Sequence, residues 1–235
     1  MSNVRVLLLQ NCELETFGRY AEYLHSNSVD HRLVHAYSDT TIPAHETWDA
    51  ILVGGTPISA YDADQHEFLR AELAFLRDAI NRDVACLGVC CGGQILAQLL
   101  GGGARRQGYR ELGVYEVRVR EEAAIDPLFA GFPSSFAVFH WHGDTFDPPP
   151  DGHVLVNGLD GGQQSFRRGR QAGVQFHLET SAAEAARWAE AYADELQEFG
   201  GDARAIVRQC AQTEVARFHL ADRLMANFLQ IARRS

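Results

Sequence analysis

The residues best suited to chemistry in this 235-residue sequence form the pentapeptide Gly88-Val89-Cys90-Cys91-Gly92. A cysteine with a glycine two positions away on each side has the spacing of a nucleophile elbow, where a buried strand turns sharply into a helix. The glycines let the turn close without side-chain clashes, so the Cys90 thiol would project above the sheet at the helix N-terminus. There the helix dipole favours the thiolate, and the N–H of Cys91 would face a developing oxyanion. The pentapeptide alone is equally typical of a tightly packed structural turn.

A base for this nucleophile is offered by the segment Gly173-Val174-Gln175-Phe176-His177-Leu178-Glu179. A cysteine nucleophile needs a base to move its proton, and the base needs a partner to fix its orientation. In an extended segment, residues two apart project to the same face, so Glu179 can hold the ring of His177. A lone histidine at a strand end is more often structural, but its combination with an elbow cysteine favours the catalytic interpretation.

The elements that would position these residues follow from hydrophobic periodicity. Strands are predicted at 4–9, 31–35, 48–53, 84–89 and 172–177, and helices at 16–25, 62–81 and 94–100. Such alternation predicts an α/β fold with a doubly wound, mostly parallel sheet and helices on both faces. The segments 113–120 and 136–142 alternate or are rich in aromatic and β-branched residues, which predicts antiparallel edge strands.

No strand pattern follows residue 181, and two helices separated by Gly200 and Gly201 are predicted. We therefore predict one domain over 1–199 and a helical extension over 200–235 that packs on it. The packing face would be an apolar stripe in the second helix, formed by Val207, Ala211, Val215, Phe218, Ala221, Met225 and Phe228. A surface for a protein partner is the alternative use of this stripe.

Charge and composition exclude several classes of protein. Asp and Glu number 31 against 21 Lys and Arg, a formal net charge of -10, which argues against a nucleic-acid partner. Two short arginine groups, at 105, 106 and 110 and at 167, 168 and 170, are interpreted as solvated loops. No leader or membrane segment is recognised, so we expect a cytoplasmic protein with no membrane partner. The 5 cysteines are an odd number without metal-type pairing, which argues against a disulfide framework.

Taken in order along the chain, these motifs resemble the class I, or triad, glutamine amidotransferases, within them the stand-alone proteins similar to the amidotransferase domain of GMP synthase. The similarity runs from residue 4 to about 190. The elbow continues through Gly93 and Gln94 as the family's G-x-C-x-G-x-Q, and 173–179 matches its G-V-Q-F-H-P-E with Leu178 in place of proline. Four further segments resemble family landmarks: the oxyanion-strand loop at 54–59, the segment ending in H-G-D at 140–144, and two weaker ones at 111–113 and 164–166.

The resemblance implies a flavodoxin-like fold and a cysteine amidohydrolase that needs no cofactor and no metal. Cys90 would attack the side-chain amide of L-glutamine, His177 would protonate the departing ammonia, and water would hydrolyse the γ-glutamyl thioester, with Glu179 orienting His177. The other implied site residues are the oxyanion donors Cys91, Thr56 and Gly55 and the substrate-binding residues Gln94, His142, Gly143 and Asp144. Thr56 departs from the family's G-G-P loop, where it stands in place of the second glycine, and a β-branched residue resists positive φ.

Other interpretations stay open at this point. A γ-glutamyl peptidase would use the same triad on an amide of a larger amine, and an inactive chain of this fold would serve as a binding subunit. His140, His142 and Asp144 also match the start of a metal-binding H-x-H-x-D-H motif of metal-dependent hydrolases, although Thr145 replaces its last histidine. No nucleotide-binding motif is visible. The ammonia therefore needs a synthetase partner, or the substrate is hydrolysed outright, and the sequence leaves a homo-oligomer open.

Overall fold

A computed structural model describes residues 4–38, 42–43 and 48–233 of the chain. Those residues form nine strands: β1 (Arg5–Gln10), β2 (Asp30–His35), β3 (Ala50–Val53), β4 (Ala85–Val89), β5 (Gly103–Val119), β6 (Ser135–Asp147), β7 (His153–Gly158), β8 (Gln163–Arg168) and β9 (Gln171–Val174). They also form six α-helices: α1 (Gly18–Ser26), α2 (Glu67–Asn81), α3 (Cys91–Leu99), α4 (Ala182–Ala191), α5 (Ala193–Glu198) and α6 (Ala203–Ala232). Residues 1–3, which bear on the expectation about a leader, and 234–235 lie outside the described residues.

The nine strands form one mixed sheet in the order β2-β1-β3-β4-β9-β8-β7-β5-β6. The first five are parallel, and the remaining four pair antiparallel at one end of the sheet. This confirms the predicted α/β fold, with a larger antiparallel part than the sequence indicates. Because β4 and β9 are parallel neighbours, the residues that follow them emerge at the same edge of the sheet.

Helices cover both faces of the parallel strands. Along β1, Val6 and Leu8 belong to one hydrophobic cluster, while Leu7 and Leu9 belong to another on the opposite face. Helices α1 and α6 cover the first face, and α2 and α3 cover the second. Continuous apolar runs such as β1 are therefore buried on both sides, as expected of central parallel strands.

The antiparallel strands are where the sequence prediction is incomplete. Strands β5 and β6 are longer than predicted, and β7 and β8 have no predicted counterpart. Strand β8 carries Gln164 and Ser165, which are buried although they are polar, so its composition conceals a sheet strand. The loop prediction for the two arginine groups is wrong for 105, 106 and 110, which lie on β5, and for 167 and 168, which lie on β8, whereas Arg170 lies in the turn between β8 and β9. Arg167 is ion-paired with Asp126, at 2.7 Å between Nη2 and Oδ2.

The helices also differ in their boundaries. The predicted helix over 62–81 is divided into a 3₁₀ segment, Ala60–Gln65, and α2. The C-terminal region contains three α-helices rather than two, because α4 and α5 are separate. Helix α4 begins with a capping box, in which Ser181 and Glu184 satisfy each other's backbone amides.

Helix α6 packs against α1, α4 and β5, and the face that it buries at its start differs from the predicted stripe. Val207, Ala211 and Val215 of the predicted stripe are only partly buried or exposed, with Val215 at 68% exposure. Ile206, Cys210 and Arg217 are buried in their place. The buried arginine explains the error, because a charged residue is expected on the outer face of a helix.

Arg217 is fully buried, and backbone carbonyls accept hydrogen bonds from its guanidinium group. It donates to the Thr180 oxygen at 2.7 Å and to the Cys210 oxygen at 3.2 Å. A longer bond, at 3.5 Å, reaches the Leu178 oxygen. Helix α6 thereby holds the backbone on both sides of Glu179.

Within the described ranges, none of the helices combines the length and apolar character needed to cross a membrane.

We expect Arg217→Ala to lower the free energy of unfolding by about 3 kcal/mol, because it leaves several buried carbonyl oxygens without donors. Urea denaturation followed by circular dichroism measures this change. Arg208→Ala, at an exposed position of the same helix, is the matched control and is expected to change stability by at most about 0.5 kcal/mol. Similar losses in the two variants would contradict the structural role of Arg217.

Candidate active site

Cys90 stands at the sharp turn between β4 and α3. Its backbone has φ 53° and ψ -117°, which is an uncommon conformation for a residue with a side chain. The turn is tied to the neighbouring strand, since the Cys90 N–H donates to the Val174 oxygen at 2.8 Å. The predicted elbow is therefore present, with α3 beginning at Cys91.

Gly88 and Gly92 make this turn possible by close backbone contact. A Cβ on Gly88 would lie 2.3 Å from the carbonyl carbon of Gly92. A Cβ on Gly92 would lie 2.2 Å from the Val53 oxygen. Neither contact is compatible with a side chain, so both glycines are required by packing against neighbouring backbone.

His177 and Glu179 form the second part of the site, beyond the end of β9. The His177 Nδ1 donates to Glu179 Oε1 at 2.6 Å, and this carboxylate partner requires the proton to be on Nδ1. The Nε2 atom is buried without a hydrogen-bond partner among the described residues, which leaves it free to exchange a proton. Two backbone hydrogen bonds to Phe139, at 2.8 and 3.0 Å, hold the His177 main chain.

Burial and charge act in opposite directions on the two proton-carrying groups. Burial raises the pKa of the Cys90 thiol above its usual value, and the nearby charge of His177 opposes that shift. Burial disfavours an imidazolium at His177, but the charge and hydrogen bond of Glu179 and the nearby charge of Cys90 outweigh it and raise the pKa of the ring well above its usual value. Thiolate formation at Cys90 therefore depends on the charge of His177, which opposes the effect of burial.

The oxyanion-strand loop passes beside the cysteine. A Cβ built on Gly55 would lie 3.5 Å from the Cβ of Cys90. Thr56 is not among the residues with positive φ in the described chain, so its β-branched side chain is accommodated without strain. Its hydroxyl accepts the Ile58 N–H at 3.4 Å, which closes the turn. The predicted donors Gly55, Thr56 and Cys91 are thus brought to one place.

A cavity of about 350 Å³ opens at Cys90. The four residues predicted to bind substrate all line it: Gln94, His142, Gly143 and Asp144. The Asp144 carboxylate accepts hydrogen bonds from Ser59, at 2.6 Å, and Tyr61, at 3.3 Å. Gln94 donates to Gln175, at 3.2 Å, and Gln175 in turn donates to the Cys90 sulfur at 3.7 Å.

The cavity also contains charged residues that the sequence did not single out. Glu15 is buried in it, and burial raises the pKa of this carboxyl to about 7 even though the charge of His177 opposes the shift. Arg110 is ion-paired with Glu195 and lies over the Phe199 ring at 4.8 Å. Arg106 lines the same cavity from strand β5. No local sequence pattern marks Glu15. The two arginines belong to a group for which the sequence predicts a loop and no role in the site.

The predicted metal-type trio does not assemble. The carboxylate of Asp144 is bonded to Ser59 and Tyr61. His142 Nδ1 lies 2.9 Å from the backbone oxygen of Asp144 rather than at the carboxylate. Glu111 instead joins the two histidines, with its Oε2 at 3.2 Å from His142 Nε2. The donor atoms of Glu111, His140 and His142 lie within 4.8 Å of one another. His140 and His142 are also in direct contact, at 3.0 Å between ring nitrogens, which is consistent with a hydrogen-bonded cluster beside the cavity.

A doubly wound sheet with an elbow cysteine and a histidine–carboxylate pair at neighbouring strand ends is typical of the class I amidotransferases. The chain belongs to that family, since the profile described as Glutamine amidotransferase class-I matches residues 8–190.

Individual relatives agree with this family. The glutamine-hydrolysing GMP synthase of Thermomicrobium roseum is 31% identical over 177 residues, which are 72% of this chain and 31% of that protein. The chain thus spans about a third of the length of the GMP synthases that it matches. The glutamine amidotransferase-like protein YfeJ of Salmonella typhimurium is 24% identical over 181 residues, covering 75% of this chain and 76% of YfeJ.

Solved structures extend the similarity to the whole chain. The crystal structure of a glutamine amidotransferase from Thermotoga maritima has a TM-score of 0.89 and 27% identity, with 100% of both chains covered. A glutamine amido transferase from Methylobacillus flagellatus, at 22% identity, has a TM-score of 0.87 over 100% of this chain and 97% of its own, and supports the fold alone. The C-terminal helices are therefore part of the shared architecture.

We expect Gly88→Ala to destabilise the fold by about 3 kcal/mol, because the added methyl group would collide with backbone that cannot move independently. Urea denaturation measures the loss, and the rate of Cys90 alkylation reports whether the elbow survives. Gly108→Ala is the control, since a Cβ there meets nothing within 4 Å. Equal stability of the two variants would show that the elbow tolerates a side chain at position 88.

Proposed function

We infer that this protein hydrolyses the side-chain amide of L-glutamine through a thioester on Cys90, releasing glutamate and ammonia. The observation that carries this inference is the pairing of the elbow cysteine with an imidazole that Glu179 holds by one nitrogen and leaves free at the other. Membership of the class I family supports the same substrate. The presence of Cys90, His177 and Glu179 argues against an inactive binding subunit.

In the first half of the reaction, His177 takes the thiol proton and the Cys90 sulfur attacks the carboxamide carbon. The carbon–nitrogen bond breaks as His177 returns the proton to nitrogen, so ammonia leaves and a γ-glutamyl thioester remains. In the second half, His177 removes a proton from water and the resulting hydroxide attacks the thioester carbon. The carbon–sulfur bond then breaks, glutamate leaves, and His177 returns the proton to the Cys90 sulfur. The N–H groups of Cys91, Gly55 and Thr56 would stabilise the oxyanion in both halves.

The charges around the cavity suit an amino acid substrate. The Asp144 carboxylate, oriented by Ser59 and Tyr61, would bind the α-ammonium group. Gln94, His142 and Gly143 would complete the substrate contacts along the same wall. Because the matched relatives are glutamine-hydrolysing synthases, we propose that a synthetase partner consumes the ammonia.

The purified chain is expected to release glutamate from L-glutamine, and Cys90→Ala to lower the rate at least about 10³-fold. L-glutamine and γ-glutamyl dipeptides should be assayed in parallel. Cys86→Ala is the matched control, because it removes a buried thiol from β4, the strand that leads into the elbow, and it should keep the activity.

The outcomes of this assay separate the alternatives. Preference for dipeptides would identify a γ-glutamyl peptidase that uses the same triad. If neither substrate is hydrolysed but a thiol-directed glutamine analogue still labels Cys90, the enzyme requires its partner. No hydrolysis and no labelling would overturn the proposed function.

Glu179→Gln is expected to lower kcat by roughly 10²-fold, because the neutral amide no longer stabilises the imidazolium. Alkylation of Cys90 by iodoacetamide should also begin at higher pH than in the wild type, since the thiolate loses its charged partner. Measuring alkylation rate against pH tests this directly. Glu190→Gln, at an exposed position of helix α4, should leave both quantities unchanged. An unaltered pH profile in Glu179→Gln would remove Glu179 from the triad.

A further inference from the structure

Asn11 and Glu72 meet behind the oxyanion-strand loop, on the side away from the open solvent. Both are buried, with exposures of 2% and 0%, although they lie 61 positions apart in the chain. The Asn11 amide donates to Glu72 Oε1 at 3.0 Å and to the Gly54 oxygen at 3.2 Å. A side-chain amide has two hydrogens to donate, so one nitrogen makes both bonds. The pair therefore connects α2 to the loop that carries Gly55.

The bond to the Gly54 oxygen fixes more than one atom. The carbonyl of Gly54 and the N–H of Gly55 belong to the same planar trans peptide unit, and they point in opposite directions. An anchor on the carbonyl therefore also sets the direction of the Gly55 N–H. Glycine lies on both sides of this peptide unit, so its orientation has little restriction from side chains.

A side chain at either glycine would meet close neighbours. A Cβ on Gly55 would lie 2.2 Å from Glu15 Oε2, and one on Gly54 would lie 3.2 Å from the Leu9 oxygen. The Gly54 N–H is bonded to the Leu9 oxygen at 2.9 Å, which fixes the chain before this peptide unit but not the unit itself. The Asn11 bond supplies the missing restraint.

The protonation of the pair follows from its unpartnered atoms. Asn11 Oδ1 and Glu72 Oε2 are both buried without a partner among the described residues. Burial raises the pKa of Glu72 to about 8, although the Asn11 hydrogen bond opposes the shift. A proton on Glu72 Oε2 would allow this atom to donate to Asn11 Oδ1. The acid and the amide would then be joined by two hydrogen bonds that run in opposite directions. The Cys91 thiol also interacts electrostatically with the Glu72 carboxyl group.

We propose that Asn11 and Glu72 are positioning residues that aim the Gly55 N–H at the oxyanion, by holding the peptide unit between Gly54 and Gly55 as a neutral amide–acid pair. This role rests on the proposed glutamine hydrolysis. It gives a role to the buried Glu72 carboxyl, whose hydrogen-bond partner is the neutral amide of Asn11.

Asn11→Leu, which keeps the side-chain size but removes the donor, tests the aim of the amide. We expect kcat for glutamate release to fall about 10- to 100-fold, somewhat less than the loss of an entire oxyanion donor, with KM within about threefold of the wild type. Alkylation of Cys90 by iodoacetamide needs the thiolate but no oxyanion, so its rate should stay close to the wild-type rate. Unchanged kcat, or equal losses in hydrolysis and alkylation, would overturn the positioning role.

Glu72→Gln tests the proton of the pair, because its amide can replace the protonated acid and form the same two hydrogen bonds without titrating. We expect the wild-type kcat to decline above about pH 8, where Glu72 ionises. Glu72→Gln should keep the wild-type kcat at neutral pH and should not show this decline. Glu67→Gln, at an exposed position of the same helix, is the control and should keep the decline. An identical alkaline decline in Glu72→Gln would overturn the proposed protonation.

Stability measurements separate failure of this role from failure of the proposed function. The pKa of Glu72 is raised in the folded state from 4.5 to about 8, so its contribution to stability is complete below pH 4.5 and is lost as the pH rises through 8. The urea midpoint of the wild type should therefore fall relative to that of Glu72→Gln across this interval. A parallel pH dependence of the two midpoints would refute the neutral pair, even in a chain that hydrolyses no glutamine.

Discussion

Close contact between backbones at the elbow is the constraint on which the rest of the site depends. Gly88 and Gly92 let β4, α3 and the end of β3 approach until only glycine fits between them. This contact forces Cys90 into its positive-φ conformation and places it at the edge of the sheet where β9 also ends. The strain of one residue is thus supported by strands on both sides, which is the usual condition for a persistent strained backbone.

A second requirement is that Cys90 and His177 can become charged although they are buried from water. Burial alone would keep both Cys90 and His177 neutral, and the Glu179 carboxylate reverses that preference for the ring. The position of Glu179 depends in turn on Arg217, whose guanidinium binds the flanking carbonyls. Helix α6 therefore contributes to the site, because Arg217 in its middle binds the backbone on both sides of Glu179.

The oxyanion side of the cavity is supported in a different way. There, a protonated carboxyl and an amide are proposed to hold the Gly54-Gly55 peptide unit through neutral hydrogen bonds. A fixed negative charge at that position would oppose the oxyanion that the loop is proposed to stabilise. The proposed site thus places Glu179 behind the base and a neutral acid, Glu72, behind the oxyanion donors.

The sequence by itself determined the parallel half of the fold, the elbow and the spacing of His177 and Glu179, because these follow from local glycine chemistry, apolar runs and strand periodicity. It did not determine β8, whose buried polar residues resemble a loop, or the buried face of α6, where Arg217 takes a position expected to be apolar. Glu15, Asn11 and Glu72 were also out of reach, since each acquires its role from partners distant in the chain. Only the tertiary structure brings such groups together and removes them from water, and burial is what shifts their protonation.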